Sequence, residues 1–126
     1  MTNHILTLLN GTISIFTMDK SLSQLTKSVL KFRDDRNWAQ FHTGKDIAMC
    51  LSIEASEALE LFLWKKEDSV DIEKLQDELG DVLYSLLLLA DHYDINLEKA
   101  MENKLQKNEL KYPVEKFRNS NKKYNM

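Results

Sequence analysis

Two pairs of carboxylates, each spaced three residues apart, are the residues of this sequence best suited to chemistry. Glu54 and Glu57 form one pair, and Glu78 and Asp81 form the other. On an α-helix, side chains three residues apart lie on the same side, with Cβ atoms about 5–6 Å apart. Each pair could therefore bind one cation or bracket two. Because all these ligands are oxygens, the pattern favours Mg²⁺, with Mn²⁺ as a substitute, over zinc.

Both pairs border the apolar stripe of a predicted helix. At about 100° per residue, Glu54 falls inside the stripe of the first helix, Glu57 at its margin and Glu60 further round. Glu78 lies on the edge of the second stripe, with Asp81 beyond it. Burying unpaired carboxylates costs several kcal/mol, so inward-facing acids make sense if cations neutralise them. The first stripe comprises Ile47, Cys50, Leu51, Ala55, Ala58, Leu61 and Phe62.

The same spacing is also common on exposed helices that bind nothing. Glu78, for example, could simply pair with Lys74 one turn earlier. For either pair alone, this solvent-exposed interpretation is the better one. Two pairs together, each beside the apolar stripe of its own helix, leave a metal site and a charged surface about equally supported by the residues alone.

Four helices are predicted to position these acids. Capping signals and helical periodicity place them at 21–36, 46–65, 72–93 and 97–111, with a polar and aromatic connector at 37–45. Residues 1–20 are expected to be a weakly ordered extension or a start-site artefact, 21–113 the helical domain, and 114–126 a basic tail. Pro113 ends the fourth helix.

The composition fits one all-α domain. The chain has 126 residues with three glycines and one proline, too few turn residues for a barrel, a sandwich or a glycine-rich phosphate loop. A net charge of −3 argues against a nucleic-acid polymer as partner. No apolar run approaches the roughly 20 residues of a membrane span. The single cysteine, Cys50, is predicted to be a buried thiol in a reducing cytoplasm.

The order and spacing of several motifs resemble a known family. The motifs are R-N-W-x-Q-F-H at 36–42, E-x-x-E at 54–57, F-L-W at 62–64, E-L-G-D-V at 78–82, K-x-x-x-N at 104–108, K-Y-P at 111–113 and K-K-Y at 122–124. Together they resemble the MazG-like nucleoside triphosphate pyrophosphohydrolases, and within them the dCTP pyrophosphatase branch. The resemblance covers residues 21–124.

The resemblance implies an all-α, four-helix bundle-like fold assembled as a homodimer or homotetramer. It also implies a Mg²⁺ site whose ligands and catalytic residues are Glu54, Glu57, Glu78 and Asp81. The activity implied is hydrolysis of dCTP, or a related nucleotide, to the monophosphate and pyrophosphate. Either Glu57 or Glu60 would take the proton from the attacking water.

The sequence departs from the family pattern at three positions. The connector of the family usually reads His-x-Pro-Lys-Asn, whereas here Gly44 and Asp46 replace the proline and the asparagine, and the glycine is expected to loosen the loop. Ser85 stands where dCTP-specific members often have tyrosine, although Tyr84 precedes it. These departures leave the preferred base open.

Aromatic and basic residues provide candidate contacts to a nucleotide. Stacking and edge hydrogen bonds suit a planar base, and the counter-charges for a leaving pyrophosphate would come from lysines. Each of these residues also has an ordinary structural interpretation, as a core aromatic or a solvated lysine. The predicted substrate-binding residues are Trp38, Phe41, His42, Trp64, Ser85, Lys104, Asn108 and Lys111.

The second predicted helix is apolar almost all round, which indicates that another subunit covers part of it. Ile53, Leu59 and Leu63 lie outside its main stripe. The sequence thus predicts a homo-oligomeric, Mg²⁺-dependent nucleotide pyrophosphohydrolase. The alternative is a non-catalytic helical interaction or regulatory module whose acids form only a charged face.

Overall fold

The computed structural model describes residues 4–9, 12–17, 19–66 and 69–126 of the chain. Two antiparallel strands come first, with residues 9 and 12 paired nearest the connection. A 3-10 turn, Trp38–Phe41, separates the first two of the helices that follow. The elements are β1 His4–Leu9, β2 Thr12–Thr17, α1 Leu22–Asp34, α2 Gly44–Glu60, α3 Ile72–His92, α4 Leu97–Lys111 and α5 Val114–Phe117.

Each of the four long helices begins after a polar N-cap, as predicted, although α2 starts at Gly44 rather than at residue 46. The side chain of each cap accepts a hydrogen bond from the backbone N–H three residues later, which satisfies one of the N–H groups that the first turn leaves free. At α1 the bond is reciprocal, since the Gln24 side chain also accepts from the backbone N–H of Ser21 at 2.9 Å. The caps are Ser21, Thr43, Asp71 and Asn96.

Three helices, rather than four, form the packed body of the described chain. The most extensive packing is that of α2 against α3, and α1 packs on α3 beside them. The buried side chains belong mainly to the second half of α3, where Leu87, Leu88 and Ala90 meet Ile47 of α2. Among the described elements, α4 makes no packing of similar extent. This highly charged helix leaves even Met101 exposed, so the four-helix bundle is not completed within one chain.

The all-α prediction holds for the described residues from 19 onward, but the strands before them were not predicted. The connection between β1 and β2 carries Asn10 and Gly11, a dipeptide typical of hairpins, and these two residues lie outside the described part. The expectation of a weakly ordered or artefactual segment at 1–20 stays a prediction, as does the division at 113.

Two further expectations about α2 are wrong. The helix ends at Glu60 rather than near residue 65, because the chain turns away and Trp64 takes a left-handed φ of 61°. Cys50 is an exposed rather than a buried thiol, because it lines an open cavity between α2 and α3 instead of packing into the core. In addition, the basic tail contains the short helix α5. No helix among the described residues is long and apolar enough to cross a membrane.

Tyr93 approaches Gly44 so closely that a larger residue would not fit at this position. Gly44 is the first residue of α2 and is buried, whereas the sequence suggested a loosened loop. A Cβ added at Gly44 would overlap the Tyr93 hydroxyl and lie 2.7 Å from the ring carbon Cζ. The missing side chain therefore lets the residue after α3 close over the start of α2.

We expect Gly44→Ala to lower the free energy of unfolding by about 1–3 kcal/mol, the usual cost of forcing extra volume into a packed site. Chemical denaturation would measure it. In a chain that already carries Tyr93→Ala, Gly44→Ala should cost little further stability, because the clash with the tyrosine ring is absent. Gly80→Ala is the control: nothing lies within 4 Å of a Cβ there, so this helical position should be neutral or stabilised by up to about 1 kcal/mol. A Gly44→Ala variant as stable as the wild type would show that the Tyr93 contact does not require glycine at position 44.

Candidate functional site

Three carboxylates from two helices converge where α2 packs against α3. Glu54 of α2 and Glu78 and Asp81 of α3 each offer one oxygen atom, and these three oxygens all lie within 4.8 Å of one another. Glu54 and Glu78 are half-buried, while Asp81 is exposed. We call these three residues the carboxylate cluster.

The electrostatic state of the cluster is unfavourable for ionised acids. Burial raises the pKa of the Glu54 carboxyl, and the nearby carboxyls of Glu57, Asp81 and Glu78 raise it further. Burial is likewise the largest cause of the raised pKa of Glu78, followed by the charges of Glu57 and Asp81. Glu57 thus belongs to the same acidic neighbourhood. Glu60, the exposed last residue of α2, is not among the groups that raise either pKa.

No lysine or arginine among the described residues forms an ion pair with these acids. Lys74, the sequence-level candidate to neutralise Glu78, instead lies 4.0 Å from Asp71. The remaining ion pairs of the described chain join neighbouring residues of α1 and its end, Lys31 with Asp35 and Arg33 with Asp34. The structure therefore does not show the ion pair between Lys74 and Glu78 that would make these acids an ordinary charged surface.

The donor set fits a hard divalent cation. Such ions bind oxygen ligands at about 2.1–2.6 Å, so opposite ligands on one ion are at most about 4.2–5.2 Å apart. The separations within the carboxylate cluster, up to 4.8 Å, fall inside the limit for the longer bonds of Ca²⁺, and Mg²⁺ would draw the widest of them together by about half an ångström. An ion there would also offset the repulsion that raises the two pKa values. Glu54, Glu78 and Asp81 are the residues that would hold it, with Glu57 beside them.

A cavity of about 200 Å³ adjoins the carboxylate cluster between α2 and α3, and we call it the inner cavity. His42 Nδ1 is buried there without a hydrogen-bond partner in the described chain. Ser85, another predicted substrate contact, is only 4% exposed. The lining residues are His42, Asp46, Ile47, Cys50, Glu54, Asp81, Tyr84, Ser85 and Leu88.

A second depression, which we call the aromatic groove, lies on the α1 side of Asp81. It has a volume of about 430 Å³ and is lined by Ser28, Val29, Phe32, Trp38, Asp81 and Tyr84. Phe32 contacts the rings of Trp38 and Tyr84 edge to face, with centroids 5.8 and 6.2 Å apart. Asp81 and Tyr84 line both the groove and the inner cavity, so the two spaces are neighbours.

The structure brings together only part of the predicted substrate-binding set. His42 and Ser85 line the inner cavity, and Trp38 lines the aromatic groove. Phe41 is 67% exposed and Trp64 fully exposed, and neither lines these spaces. The residues on α4, outside the packed body, are Lys104, Asn108 and Lys111.

Sequence reasoning missed three residues at the site: Asp46, Phe32 and Tyr84. Asp46 precedes Cys50 and Glu54 by one and two helical turns, a spacing that places it on the same face. Phe32 belongs to the apolar positions of α1, whereas Tyr84 lies outside the apolar stripe predicted for α3. Nothing in the sequence distinguishes either from an ordinary packing residue.

Replacing one acid by its neutral amide should relieve the repulsion. Because the folded-state pKa of Glu54 and Glu78 lies above the ordinary value of 4.5, the contribution of these two groups to stability in metal-free buffer is most favourable in acid and is lost as the pH rises through the raised pKa. We expect Glu54→Gln and Glu78→Gln to raise Tm at neutral pH without metal and to flatten this pH dependence. Thermal melts from pH 4 to 8 would measure both effects, with Glu73→Gln on α3 as control. A lower metal-free Tm in both variants would show that repulsion among these acids does not weaken the fold.

Comparison with known proteins shows which family this chain is similar to. Residues 49–126 match the MazG-like family. The dCTP pyrophosphatase 1 proteins of Rattus norvegicus and Homo sapiens are 32% and 31% identical to the chain over 117 residues, covering 86% of this chain and 69% of each relative. The crystal structure of a pyrophosphatase from Archaeoglobus fulgidus matches with a TM-score of 0.67 and 36% identity, covering 79% of this chain and 99% of that one. These similarities confirm the resemblance of the motifs, and the chain belongs to the MazG-like family.

Proposed function

We propose that this protein is a Mg²⁺-dependent nucleoside triphosphate pyrophosphohydrolase that converts dCTP, or a related deoxynucleotide, to the monophosphate and pyrophosphate. One observation carries the proposal: Glu54 and Asp81 of the carboxylate cluster also line the inner cavity, where His42 and Ser85 offer polar groups. The activities for which the relatives are named, dCTP pyrophosphatase and pyrophosphatase, support it. Such an enzyme would clear unwanted nucleotides from the cytoplasmic pool, and an exposed free thiol suits that reducing compartment.

Charge explains why a cation is needed. A nucleoside triphosphate carries about four negative charges, and four carboxylates would repel it without a bridging ion. Mg²⁺ held by Glu54, Glu78 and Asp81 would neutralise charge on the phosphates, polarise the α-phosphoryl group and make a water molecule more acidic. Mn²⁺, which takes the same oxygen ligands, would substitute.

Glu57 is the better of the two candidates for the general base. Its charge acts on both Glu54 and Glu78, so it lies beside the carboxylate cluster, whereas Glu60 affects neither. A carboxylate that is not itself saturated by a cation can take the proton from the attacking water. Glu60, one turn further on, would serve only if the substrate reached the end of α2.

The base would be held by the side chains next to the cluster. His42 and Ser85 offer hydrogen-bonding groups within the inner cavity, and Trp38 presents a ring that is 42% exposed in the aromatic groove. The other predicted contacts lie away from the cluster within one chain. We propose that they act across a subunit interface or on the outer phosphates, and these contacts are Phe41, Trp64, Lys104, Asn108 and Lys111.

A homo-oligomer is supported by the amount of apolar surface left uncovered. On α2, Met49, Ile53 and Leu59 are each more than half exposed, and Leu79 on α3 is 53% exposed. A second copy burying these side chains would form a homodimer, and two such dimers a homotetramer.

Introducing a charge into this surface should separate the subunits. We expect Ile53→Glu to shift the protein toward monomer, since burying an unpaired carboxylate in an apolar interface costs several kcal/mol. Sedimentation equilibrium would measure the shift. Ser23→Glu, at an exposed position of α1, is the control and should leave the assembly unchanged. A wild-type protein that stays monomeric at every concentration would refute the proposed oligomer.

The products distinguish this activity from other phosphate chemistry. Water attack at the α-phosphorus yields pyrophosphate and dCMP, whereas attack at the γ-phosphorus yields orthophosphate and dCDP. We expect chromatography of Mg²⁺-dependent turnover to show pyrophosphate and dCMP in equal amounts. The same assay tests the alternative of a non-catalytic interaction module, which would release neither product. Orthophosphate as the primary product would refute the proposal even if Mg²⁺ were required.

A further inference from the structure

We propose that Arg36 is a positioning residue: it fixes the ring of Trp38 as a wall of the aromatic groove, and so raises the affinity for the nucleotide without changing the rate of hydrolysis. This inference rests on the proposed function, because it assumes that Trp38 contacts the base. Arg36 is not among the residues that line the groove. It acts through Phe32, which contacts the guanidinium and also lines the groove.

The guanidinium of Arg36 replaces a backbone hydrogen bond at the end of α1. In a continuing helix, the backbone N–H of Arg36 would donate to the carbonyl oxygen of Phe32, four residues earlier. Because the helix ends at Asp34, that N–H donates instead to the carbonyl oxygen of Arg33, at 3.2 Å. The Arg36 side chain donates to the Phe32 oxygen in its place, with Nη1 2.9 Å away. One side of the guanidinium is thereby held by the backbone of α1.

The same guanidinium also contacts aromatic rings. Its Cζ atom lies 3.6 Å from the centroid of the Phe32 ring and 5.7 Å from the Trp38 ring, both within the roughly 6 Å over which a cation attracts an aromatic face. Phe32 in turn contacts the Trp38 ring edge to face, with an interplanar angle of 76°. Because contacts of both kinds are attractive only in particular orientations, they fix the direction of the Trp38 ring as well as its position.

No nearby carboxylate draws Arg36 away from these rings. Asp34 pairs with Arg33 at 2.7 Å, and none of the ion pairs among the described residues includes Arg36. The charge of Arg36 acts instead on Tyr84, another wall of the aromatic groove. Burial raises the pKa of the Tyr84 hydroxyl, and the positive charges of Arg33 and Arg36 offset part of that rise. The arginine therefore stands behind the aromatic wall rather than in an ion pair.

The turn after α1 brings Trp38 back toward Phe32. Asn37 has a left-handed φ of 53°, a conformation that asparagine tolerates better than most residues. Its carbonyl oxygen accepts a hydrogen bond from Gln40 Nε2 at 2.9 Å. These features set the backbone path into Trp38 but leave its side-chain torsions free. Because Trp38 is exposed, the orientation of its ring depends on the contacts with Phe32 and Arg36.

A ring that is already fixed binds a base more tightly than a mobile ring, because less side-chain entropy is lost on binding. Asp81 lines the aromatic groove together with Trp38, so a nucleotide with its phosphates at the carboxylate cluster has its base within reach of the ring. The bond that breaks is at the phosphates. Loss of Arg36 should therefore raise KM and leave kcat unchanged.

A purely structural role at the end of α1 is the competing explanation. A positive charge there suits the negative end of the helix dipole, and the hydrogen bond to Phe32 satisfies a carbonyl oxygen that the helix leaves free. If this were the only role of Arg36, replacing it would lower the Tm and change neither the mobility of the Trp38 ring nor KM. Ring mobility and KM therefore distinguish the two roles.

Three variants separate these roles in a turnover assay with dCTP. Arg36→Met removes the charge, the hydrogen bond and the ring contact, whereas Arg36→Lys keeps the charge but cannot both donate to the carbonyl and lie flat on the ring. Lys31→Met, the control, removes a charge from the last turn of α1. We expect both Arg36 variants to raise KM by about two- to tenfold with kcat unchanged. Lys31→Met should leave both constants unchanged.

Fluorescence anisotropy decay tests the Trp38 ring directly. The chain has two tryptophans, so a Trp64→Phe background makes Trp38 the single reporter. With Arg36 present, the indole should rotate with the whole protein. Both Arg36 variants should add a faster component of local ring motion, and Lys31→Met should add none. An unchanged decay in both Arg36 variants would overturn the proposal, and so would a more mobile ring with an unchanged KM.

A binding measurement keeps this inference separate from the proposed function. Calorimetric titration with dCMP needs no turnover, and both Arg36 variants should bind dCMP about two- to tenfold more weakly than the wild type. Equal dCMP binding by the wild type and both variants would overturn the role of Arg36. A more mobile ring and weaker dCMP binding, together with absence of pyrophosphate release by the wild type, would refute only the proposed reaction.

Discussion

Repulsion among acids at the contact between α2 and α3 is the constraint on which the rest of the site depends. Glu54, Glu78 and Asp81 bring oxygen atoms within 4.8 Å of one another, and Glu57 adds a fourth charge nearby. The packing of the two helices forces this proximity, and no described ion pair relieves it. The protein keeps an arrangement that weakens its own fold without a cation, as expected of a site shaped by binding rather than by stability.

The surrounding structure holds that arrangement in place. The contact of Tyr93 with Gly44 fixes the start of α2 against the end of α3, and the Thr43 cap sets where the helix begins. Because the core lies in the second half of α3, the acids stand toward the less buried end of the helix pair, where an ion and phosphates have access. The inner cavity extends from them back toward the core.

The sequence predicted the parts of this account that depend on periodicity and capping. Four helix starts followed from single polar caps, and Glu54, Glu78 and Asp81 followed from their spacing beside apolar stripes. It did not predict strands β1 and β2, because the apolar residues before 18 were interpreted as a weakly ordered extension. Nor did it predict that Trp64 would lie on an exposed turn, since a left-handed φ has no pattern of its own there. Tyr84 and Gly44 matter through tertiary contacts, which no local pattern records.

The central claim is that the carboxylate cluster is a divalent-cation site, and direct titration with Mn²⁺ tests it. Electron paramagnetic resonance distinguishes free from bound Mn²⁺ without requiring a substrate. We expect saturable Mn²⁺ binding by the wild type. Replacing both Glu54 and Glu78 by glutamine should lower the affinity by about tenfold or more. Equal Mn²⁺ binding by the wild type and this double variant would contradict the claim.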